Sequence, residues 1–239
     1  MCSSCTACYR NDARVSQVTE TIFLFDVDNT LLDNDRIEAD IGLHLEDEYG
    51  AAGRDRFWAI FEELRREFGF ANYLGTVQRY RLETLHDPRV LGLSAFLLDY
   101  PFAERLYPRA LETLAHVRNW GRTVILSDGD AVFQPHKIQR AGLWDAVEGR
   151  VLIYVHKERM LDEVKRLYPA QHYVMIDDKP GVLAAMKEIW GVQLTTVFPQ
   201  QGHYARASLS MASQPSADLA LEHVADLISC GYSDFSLAK

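Results

Sequence analysis

Four acidic residues follow directly on apolar runs. Asp26 and Asp28 follow Ile22-Phe-Leu-Phe25, and Asp177 and Asp178 follow Tyr173-Val-Met-Ile176. A carboxylate held rigidly at the end of a buried strand can act as a nucleophile, as carboxylates do when they form aspartyl-phosphates. Asp28 lies two residues on and points to the same side, where it can protonate a leaving oxygen and then activate water. Acids this close need a cation, or their pKa values rise. A few carboxylates completed by water and a substrate phosphate is the Mg²⁺ pattern, so Asp26, Asp28, Asp177 and Asp178 form a candidate Mg²⁺ site. Ser127, after Thr123-Val-Ile-Leu126, and Thr30 offer hydroxyls to phosphate oxygens. Lys157 offers a positive charge to the nucleophile and the phosphate, stabilising charge in the transition state.

Each element has a simpler reading on its own. An Asp-x-Asp is common in calcium loops and turns, Ser127 can be a helix N-cap, and Lys157 can be a solvated side chain. Asp177-Asp178 can cap the helix that starts at Gly181. The combination is another matter, because each group stands at a strand end. Ligand sites in open parallel sheets lie outside the carboxyl ends of the strands.

The elements that must position these groups alternate along the chain. Short apolar runs at 22–25, 123–126, 151–155, 173–176 and 194–198 read as buried strands. Helical patterns lie between them at 109–120, 135–141, 157–168 and 181–190, most closed by glycine or proline. This order predicts an α/β fold, a Rossmann-like parallel sheet with helices on both faces. Residues 35–107 break the rhythm. They hold no strand and read as helices over 37–49, 54–68 and 73–85, with further helical turns up to Arg105. The expected organisation is a flexible tail at 1–18, a core of 19–34 and 108–239, and an inserted all-helical cap at 35–107. Hinges are expected near Asn34–Asp35 and Tyr107–Pro108. Ser208–Ala217 reads as a loop and Ala217–Ser229 as a short amphipathic helix.

Composition excludes several classes. The chain has 239 residues, 48% of them hydrophobic and 25% charged, which is the globular range. Its net charge of −9 gives no electrostatic footprint for nucleic acid or an anionic membrane. No apolar run approaches the roughly 20 residues that span a bilayer, and the start has no signal-peptide pattern, so a cytoplasmic location is expected. Cys2, Cys5 and Cys8 have a spacing that could hold part of a metal site, but no fourth ligand is near. The reading is a non-ligating tail. Monomer and homodimer both remain open.

Phe23-Leu-Phe-Asp26-Val-Asp28-Asn-Thr30-Leu-Leu resembles the first motif of the haloacid dehalogenase superfamily. Ile125-Leu-Ser127-Asp-Gly resembles its second motif, Lys157 its third, and Val174-Met-Ile-Asp177-Asp178-Lys-Pro-Gly its fourth. The resemblance covers about residues 20–200. It implies strand order 5-4-1-2-3 and a helical C1-type cap after the first strand. It makes Asp26 the nucleophile, Asp28 the general acid/base, and Thr30 and Ser127 the residues that position the phosphoryl group. Mg²⁺ would be bound by Asp26, the backbone carbonyl of Asp28 and Asp178, with Asp177 close by. Lys137 fits the third motif less well, since too little chain separates it from the second. Asp128 and Asp130 read as polar residues of the loop after Ser127.

The implied function is a Mg²⁺-dependent phosphatase that acts on a small phosphorylated metabolite through a phosphoaspartyl intermediate. Members that cleave carbon–halogen bonds keep no acid two residues after the nucleophile and need no Mg²⁺, so that activity is disfavoured here, although such a family label fits. Phosphonate hydrolysis in this superfamily uses a cap lysine, and residues 34–108 contain none. A phosphomutase or phosphotransferase shares the same motifs and stays open, as does a non-catalytic binding protein. Cap arginines at 36, 54, 56, 65, 66, 79, 81, 89 and 105 are read mostly as solvated partners of neighbouring glutamates, with one or two free to meet substrate. Phe57, Trp58, Phe61, Phe68, Phe70, Tyr73 and Tyr80 are read as cap core.

Overall fold

The computed structural model describes residues 19–85, 87–209 and 217–235. The tail with Cys2, Cys5 and Cys8 and most of the loop after Ser208 lie outside the described residues. Strands β1 (Thr19–Phe25), β2 (Arg122–Asp128), β3 (Val151–Tyr154), β4 (Ala170–Ile176), β5 (Leu194–Pro199) and β6 (Leu219–Leu221) form one sheet in the order β3-β2-β1-β4-β5-β6. All neighbours are parallel. The expected order of five strands is present, and β6 extends it at one edge.

The centre of the sheet follows from its sequence. Ile22, Phe23, Leu24 and Phe25 are all fully buried, because helices cover both faces of β1. Successive side chains of a strand point to opposite faces. Phe23 and Phe25 accordingly join one core and Ile22 and Leu24 the other. Around the sheet lie α4 (Ala110–Val117), α5 (Phe133–Arg140), α6 (Leu143–Ala146), α7 (Leu161–Leu167), α8 (Pro180–Trp190) and α9 (Gly202–Leu209). The helix expected from Lys157 is broken in two, a 3₁₀ turn at Lys157–Arg159 and then α7.

The segment expected as an amphipathic helix, Ala217–Ser229, is instead β6 followed by a 3₁₀ turn at Val224–Ser229. Tertiary pairing decides this. The Asp218 carboxylate accepts from the Thr196 N–H at 2.8 Å and from the Thr196 hydroxyl at 2.9 Å, which docks the segment alongside β5. Propensity over so short a stretch is too weak to oppose such pairing.

Between β1 and β2 the chain forms α1 (Asn34–Phe68), α2 (Tyr73–Glu83), α3 (Val90–Asp99) and a 3₁₀ turn at Phe102–Arg105. The two helices expected at 37–49 and 54–68 run together as α1 across a kink at Gly50, which has φ 73° and ψ 173°. The insertion has its own buried residues, among them Phe57, Ile60, Leu64, Val77 and Leu93, and it packs on α5 through Tyr73 and Phe102 against Phe133. Where the chain leaves and re-enters the sheet layer, the two crossings are tied. The Asp33 N–H donates to the Arg105 carbonyl at 2.8 Å and the Tyr107 N–H to the Leu31 carbonyl at 2.9 Å. No helix among the described residues is long and apolar enough to cross a membrane.

Helix α9 had no counterpart in the sequence reading. It starts at Gly202 with φ 69°, pressed so close to Asn29 that a Cβ would lie 2.5 Å from the Asn29 Cβ. Gly202→Ala is therefore expected to lower stability by about 1–2 kcal/mol, through the left-handed backbone and the clash together. Thermal denaturation beside the wild type measures it, at about 2–4 °C for each ~1 kcal/mol in a chain of this size.

Candidate active site

The parallel register that pairs Phe25 with Ile176 makes β1 and β4 end side by side. Asp26 and Asp177 are the next residues on each strand, so the register alone brings them together. Asp178 completes the group. Oxygens of Asp26, Asp177 and Asp178 all lie within 4.8 Å of one another, and all three residues are buried. Lys157 reaches in from the turn after β3. Its Nζ stands 2.5 Å from Asp26 Oδ1 and 2.6 Å from Asp177 Oδ2, with the side chain fully buried. His156, at φ 61°, turns the backbone just before it, and the Asp128 carboxylate accepts from the Lys157 N–H at 2.8 Å.

One lysine does not balance this group. Asp26 Oδ2 and both oxygens of Asp178 are buried without a hydrogen-bond partner. Burial, with repulsion from Asp177 and Asp26, pushes Asp178 up to about 9. Burial also raises Asp177, to about 6, against the pull of Lys157. Burial alone would lower Lys157, but Asp177, Asp26 and Asp128 outweigh it and hold its proton more firmly than usual. Lys179, next to Asp178, is raised by Asp26, Asp177 and Asp178 against its own burial. Unpartnered carboxylate lone pairs converging on one buried point fit a hard divalent cation such as Mg²⁺. Asp26, Asp177 and Asp178 are the side chains that could hold it.

The Asp28 side chain is not part of that cluster. The chain turns at Asn29, which has φ 59° and whose side-chain amide oxygen Oδ1 accepts from the Asn34 and Asp35 N–H groups at the start of α1. Asparagine tolerates this left-handed conformation better than most residues. Asp28 is thereby directed to Lys137, whose Nζ stands 2.5 Å from its Oδ1. As a metal ligand Asp28 is left with its backbone carbonyl. Lys137 also donates to the Asn34 amide oxygen at 3.3 Å, and Asn34 donates to Glu38 at 3.0 Å. The Ser127 hydroxyl accepts from Gln134 at 3.0 Å, and the same Gln134 nitrogen lies 3.4 Å from Asp28 Oδ2. The Thr30 hydroxyl is fully buried and accepts from the Asp178 N–H at 3.1 Å. Thr30 thus braces the Asp178 loop, and Ser127 sits beside the acid/base candidate. Asp130 caps the start of α5, accepting from the Val132 and Phe133 N–H groups. Asp177 does so for α8 in part, accepting from the Lys179 N–H at 2.8 Å.

A pocket of about 450 Å³ opens between the strand ends and the helical insertion. Asp28, Asp128 and Lys179 border it from the sheet side, and Glu38, Trp58 and Arg65 from α1. Most arginines of the insertion pair on its surface, as Arg56 does with Glu63 and Glu83, whereas Arg65 borders the pocket. Arg65 is itself engaged, donating to the Tyr204 hydroxyl of α9 at 2.6 Å and lying 3.5 Å from Glu62. Among the aromatic residues read as cap core, Phe57, Phe61, Tyr73 and Tyr80 are buried, and Trp58, Phe61 and Phe70 also border the pocket.

The sequence alone gives no role in the site to Lys179, Glu38 or the residues of α9, and offers Lys137 only as a weaker match to the third motif. Two of them left a signal. Lys137 recurs on the helix face of Phe133, Gln134 and Ile138, where a lysine is out of place unless paired, and Lys179 directly follows the Asp177-Asp178 pair. Glu38 and Tyr204 reach the pocket only through packing between distant segments.

A family model for haloacid dehalogenase-like hydrolases matches residues 21–189. Among solved structures, a protein of Burkholderia xenovorans LB400 described as a haloacid dehalogenase-like hydrolase is 58% identical, with a TM-score of 0.84 over 90% of this chain and 98% of that one. The L-2-haloacid dehalogenase of Xanthobacter autotrophicus, with chloropropionic acid covalently bound, is 17% identical, with a TM-score of 0.58 over 88% and 97%. A HAD-hydrolase of Bacillus subtilis bound to magnesium is 14% identical, with a TM-score of 0.59 over 88% and 97%. The last two share the fold. A comparison with curated proteins yields no match.

The carboxylate cluster predicts a linked behaviour towards pH and metal. A carboxyl raised in the folded state stabilises the fold below its unfolded pKa and loses that contribution as pH rises through the folded value. For Asp178 that window runs from 3.8 to about 9. Without metal, Asp178→Asn should therefore melt higher than the wild type at pH 8, and the difference should shrink towards pH 4. Added Mg²⁺ should raise the melting temperature of the wild type and not of Asp178→Asn, since only a ligand that binds the native state shifts it. Differential scanning fluorimetry with EDTA and with millimolar Mg²⁺ reads both effects.

Proposed function

Since the chain belongs to the haloacid dehalogenase-like hydrolase family, we propose that it is a Mg²⁺-dependent phosphatase of a small phosphorylated molecule, working through a phosphoaspartyl intermediate. The observation that carries this reading is the set of buried, unpartnered oxygens on Asp26 and Asp178 beside Asp177. Displacement of a halide by a carboxylate needs no cation, whereas transfer of a phosphoryl group concentrates negative charge that a cation and a lysine must offset. Bound there, Mg²⁺ would offset charge on the transferring phosphoryl oxygens. The magnesium named for the Bacillus subtilis relative agrees with this choice of ion.

The remaining chemistry belongs to the chain's own residues. An oxygen of Asp26 attacks phosphorus, and the bond from phosphorus to the ester oxygen breaks. Asp28, bordering the pocket two residues on, gives its proton to the departing oxygen, so the alcohol leaves neutral. A water then attacks phosphorus, Asp28 takes its proton, and the bond to Asp26 breaks to release phosphate. The sum is one ester and one water converted to one alcohol and one phosphate. Lys157 pairs with Asp26 and keeps it aimed throughout. Lys137 holds Asp28, which separates the environments of the nucleophile and the acid. The helical insertion closes over the pocket and limits water to the second step.

The test is phosphate release from p-nitrophenyl phosphate with Mg²⁺ and then with EDTA, and in two variants. Release should require Mg²⁺. Asp26→Asn, which preserves volume, should remove it entirely, and Asp28→Asn should lower it by about 10²–10⁴-fold. Turnover that persists in Asp26→Asn would reject the covalent route. Turnover indifferent to EDTA would reject the metal.

A further inference from the structure

On the phosphatase reading, the pocket must also hold whatever alcohol the phosphate is attached to. The sheet side of the pocket carries Asp28, Asp128 and Lys179, of which Lys179 is the cation that a phosphoryl group can meet. The side formed by the helical insertion is different. Glu38 lies in the first turns of α1, largely removed from water. Its Oε1 accepts from the Tyr73 hydroxyl at 3.1 Å and from the Asn34 amide at 3.0 Å. Both donors are neutral, and both meet the same oxygen. Among the described residues no donor meets Oε2 and no cation forms an ion pair with Glu38. The nearest charges are mixed, with Asp28 repelling and His203 and Lys137 attracting from beyond contact distance. Burial, aided by Asp28, raises this carboxyl above its usual range despite the Tyr73 hydrogen bond.

Arg65, the arginine that borders the same space, does not meet that need. It faces Tyr204 and Glu62. With Arg65 at contact distance from Glu62 and acting on Glu38 only at longer range, Glu38 is the carboxylate on this side of the pocket without an ion-pair partner among the described residues. Trp58, Phe61 and Phe70 border the space with it. Aromatic faces attract cations, and a carboxylate beside them adds the charge that a desolvated ammonium requires. A pocket of about 450 Å³ admits a phosphate ester with a short chain beyond it.

We propose that the substrate is the phosphate monoester of a short amino alcohol, its ammonium group paired with Glu38 and faced by Trp58 and Phe70. Glu38 is then a specificity-determining residue, held in place by Tyr73 and Asn34. The same Asn34 accepts from Lys137, so the group that reads the leaving alcohol and the group that holds its proton donor share one hydrogen-bonded frame.

The experiment measures phosphate release by the Mg²⁺-loaded full chain from 2-aminoethyl and 3-aminopropyl phosphate, n-propyl phosphate, 2-hydroxyethyl phosphate, 2-carboxyethyl phosphate and p-nitrophenyl phosphate. The aminoalkyl esters should exceed n-propyl phosphate in kcat/KM by at least about tenfold, chiefly through KM. In Glu38→Gln, which keeps an acceptor for Tyr73 and Asn34, that ratio should fall close to one. Trp58→Leu should lower the same ratio without touching the Glu38 frame. The proposal is overturned if the wild type shows no preference for the ammonium, or if the preference survives Glu38→Gln. It is equally overturned if 2-hydroxyethyl phosphate matches the aminoalkyl esters, or if 2-carboxyethyl phosphate is preferred, which would make Arg65 the reader. Hydrolysis of p-nitrophenyl phosphate without an ammonium preference rejects this inference alone. Hydrolysis of none of the esters rejects the phosphatase reading and this inference with it.

Discussion

The structure is organised around a charge problem at the end of two central strands. Asp26 and Asp177 are placed side by side by the register of β1 and β4, at the one place where an apolar sheet meets its ligand space. Lys157 holds both, and it comes from the 3₁₀ turn between β3 and α7. A buried ion pair is poor evidence of stability, since desolvation offsets much of the attraction. Removing one partner is worse, because it leaves an uncompensated charge. The strand ends, the Lys157 turn and the Asp178 loop are therefore mutually dependent. Thr30 ties the last of these back to the first loop through the Asp178 N–H.

Two acids two residues apart in sequence end in different surroundings. Asp26 is buried with Lys157 and the carboxylates of Asp177 and Asp178. Asp28 is turned by the left-handed Asn29 towards Lys137 and borders the pocket. Pairs of titratable groups whose environments diverge in this way suit a division of labour between nucleophile and proton carrier. The division is built by separate lysines on separate elements, one after β3 and one on α5. Each is buried, and neither is interchangeable with the other.

The helical insertion is bound into this arrangement at several points. Its base is tied where the chain crosses at Asp33 and Tyr107. Asp35, at the start of α1, meets His203 and Arg206 of α9, and Arg65, near its end, meets Tyr204 of the same helix. Helix α9 thus spans the pocket from the sheet layer to both ends of α1. The pocket wall it helps to form carries Trp58, Phe61, Phe70 and Tyr204, aromatic residues that the sheet side, with Asp28, Asp128 and Lys179, lacks. That asymmetry is what gives the pocket a direction.

The sequence by itself determined the layer architecture and which acids and lysine stand at the strand ends as candidates for the site. Fully apolar runs such as Ile22–Phe25 can only be strands covered on both faces, and the acids that follow them must then stand at the sheet edge. Alternation of strand and helix pointed to a parallel sheet, the family resemblance supplied its strand order, and the helical pattern over 35–107 marked the insertion. These are local signals, carried by adjacent residues. What the tertiary structure decided depends on contacts between segments far apart. The fate of Ala217–Ser229 rested on Asp218 meeting Thr196, so a pattern compatible with a helix became an edge strand. Thr30 became a brace because the Asp178 loop lies against it. Lys137 found Asp28 across 109 residues of chain. Glu38 and Arg65, two acidic and basic residues among many on α1, acquired their separate positions at the pocket from Tyr73, Asn34, Glu62 and Tyr204. Periodicity assigns a residue to a face, but only packing decides what stands opposite that face, and the lining of this pocket was decided there.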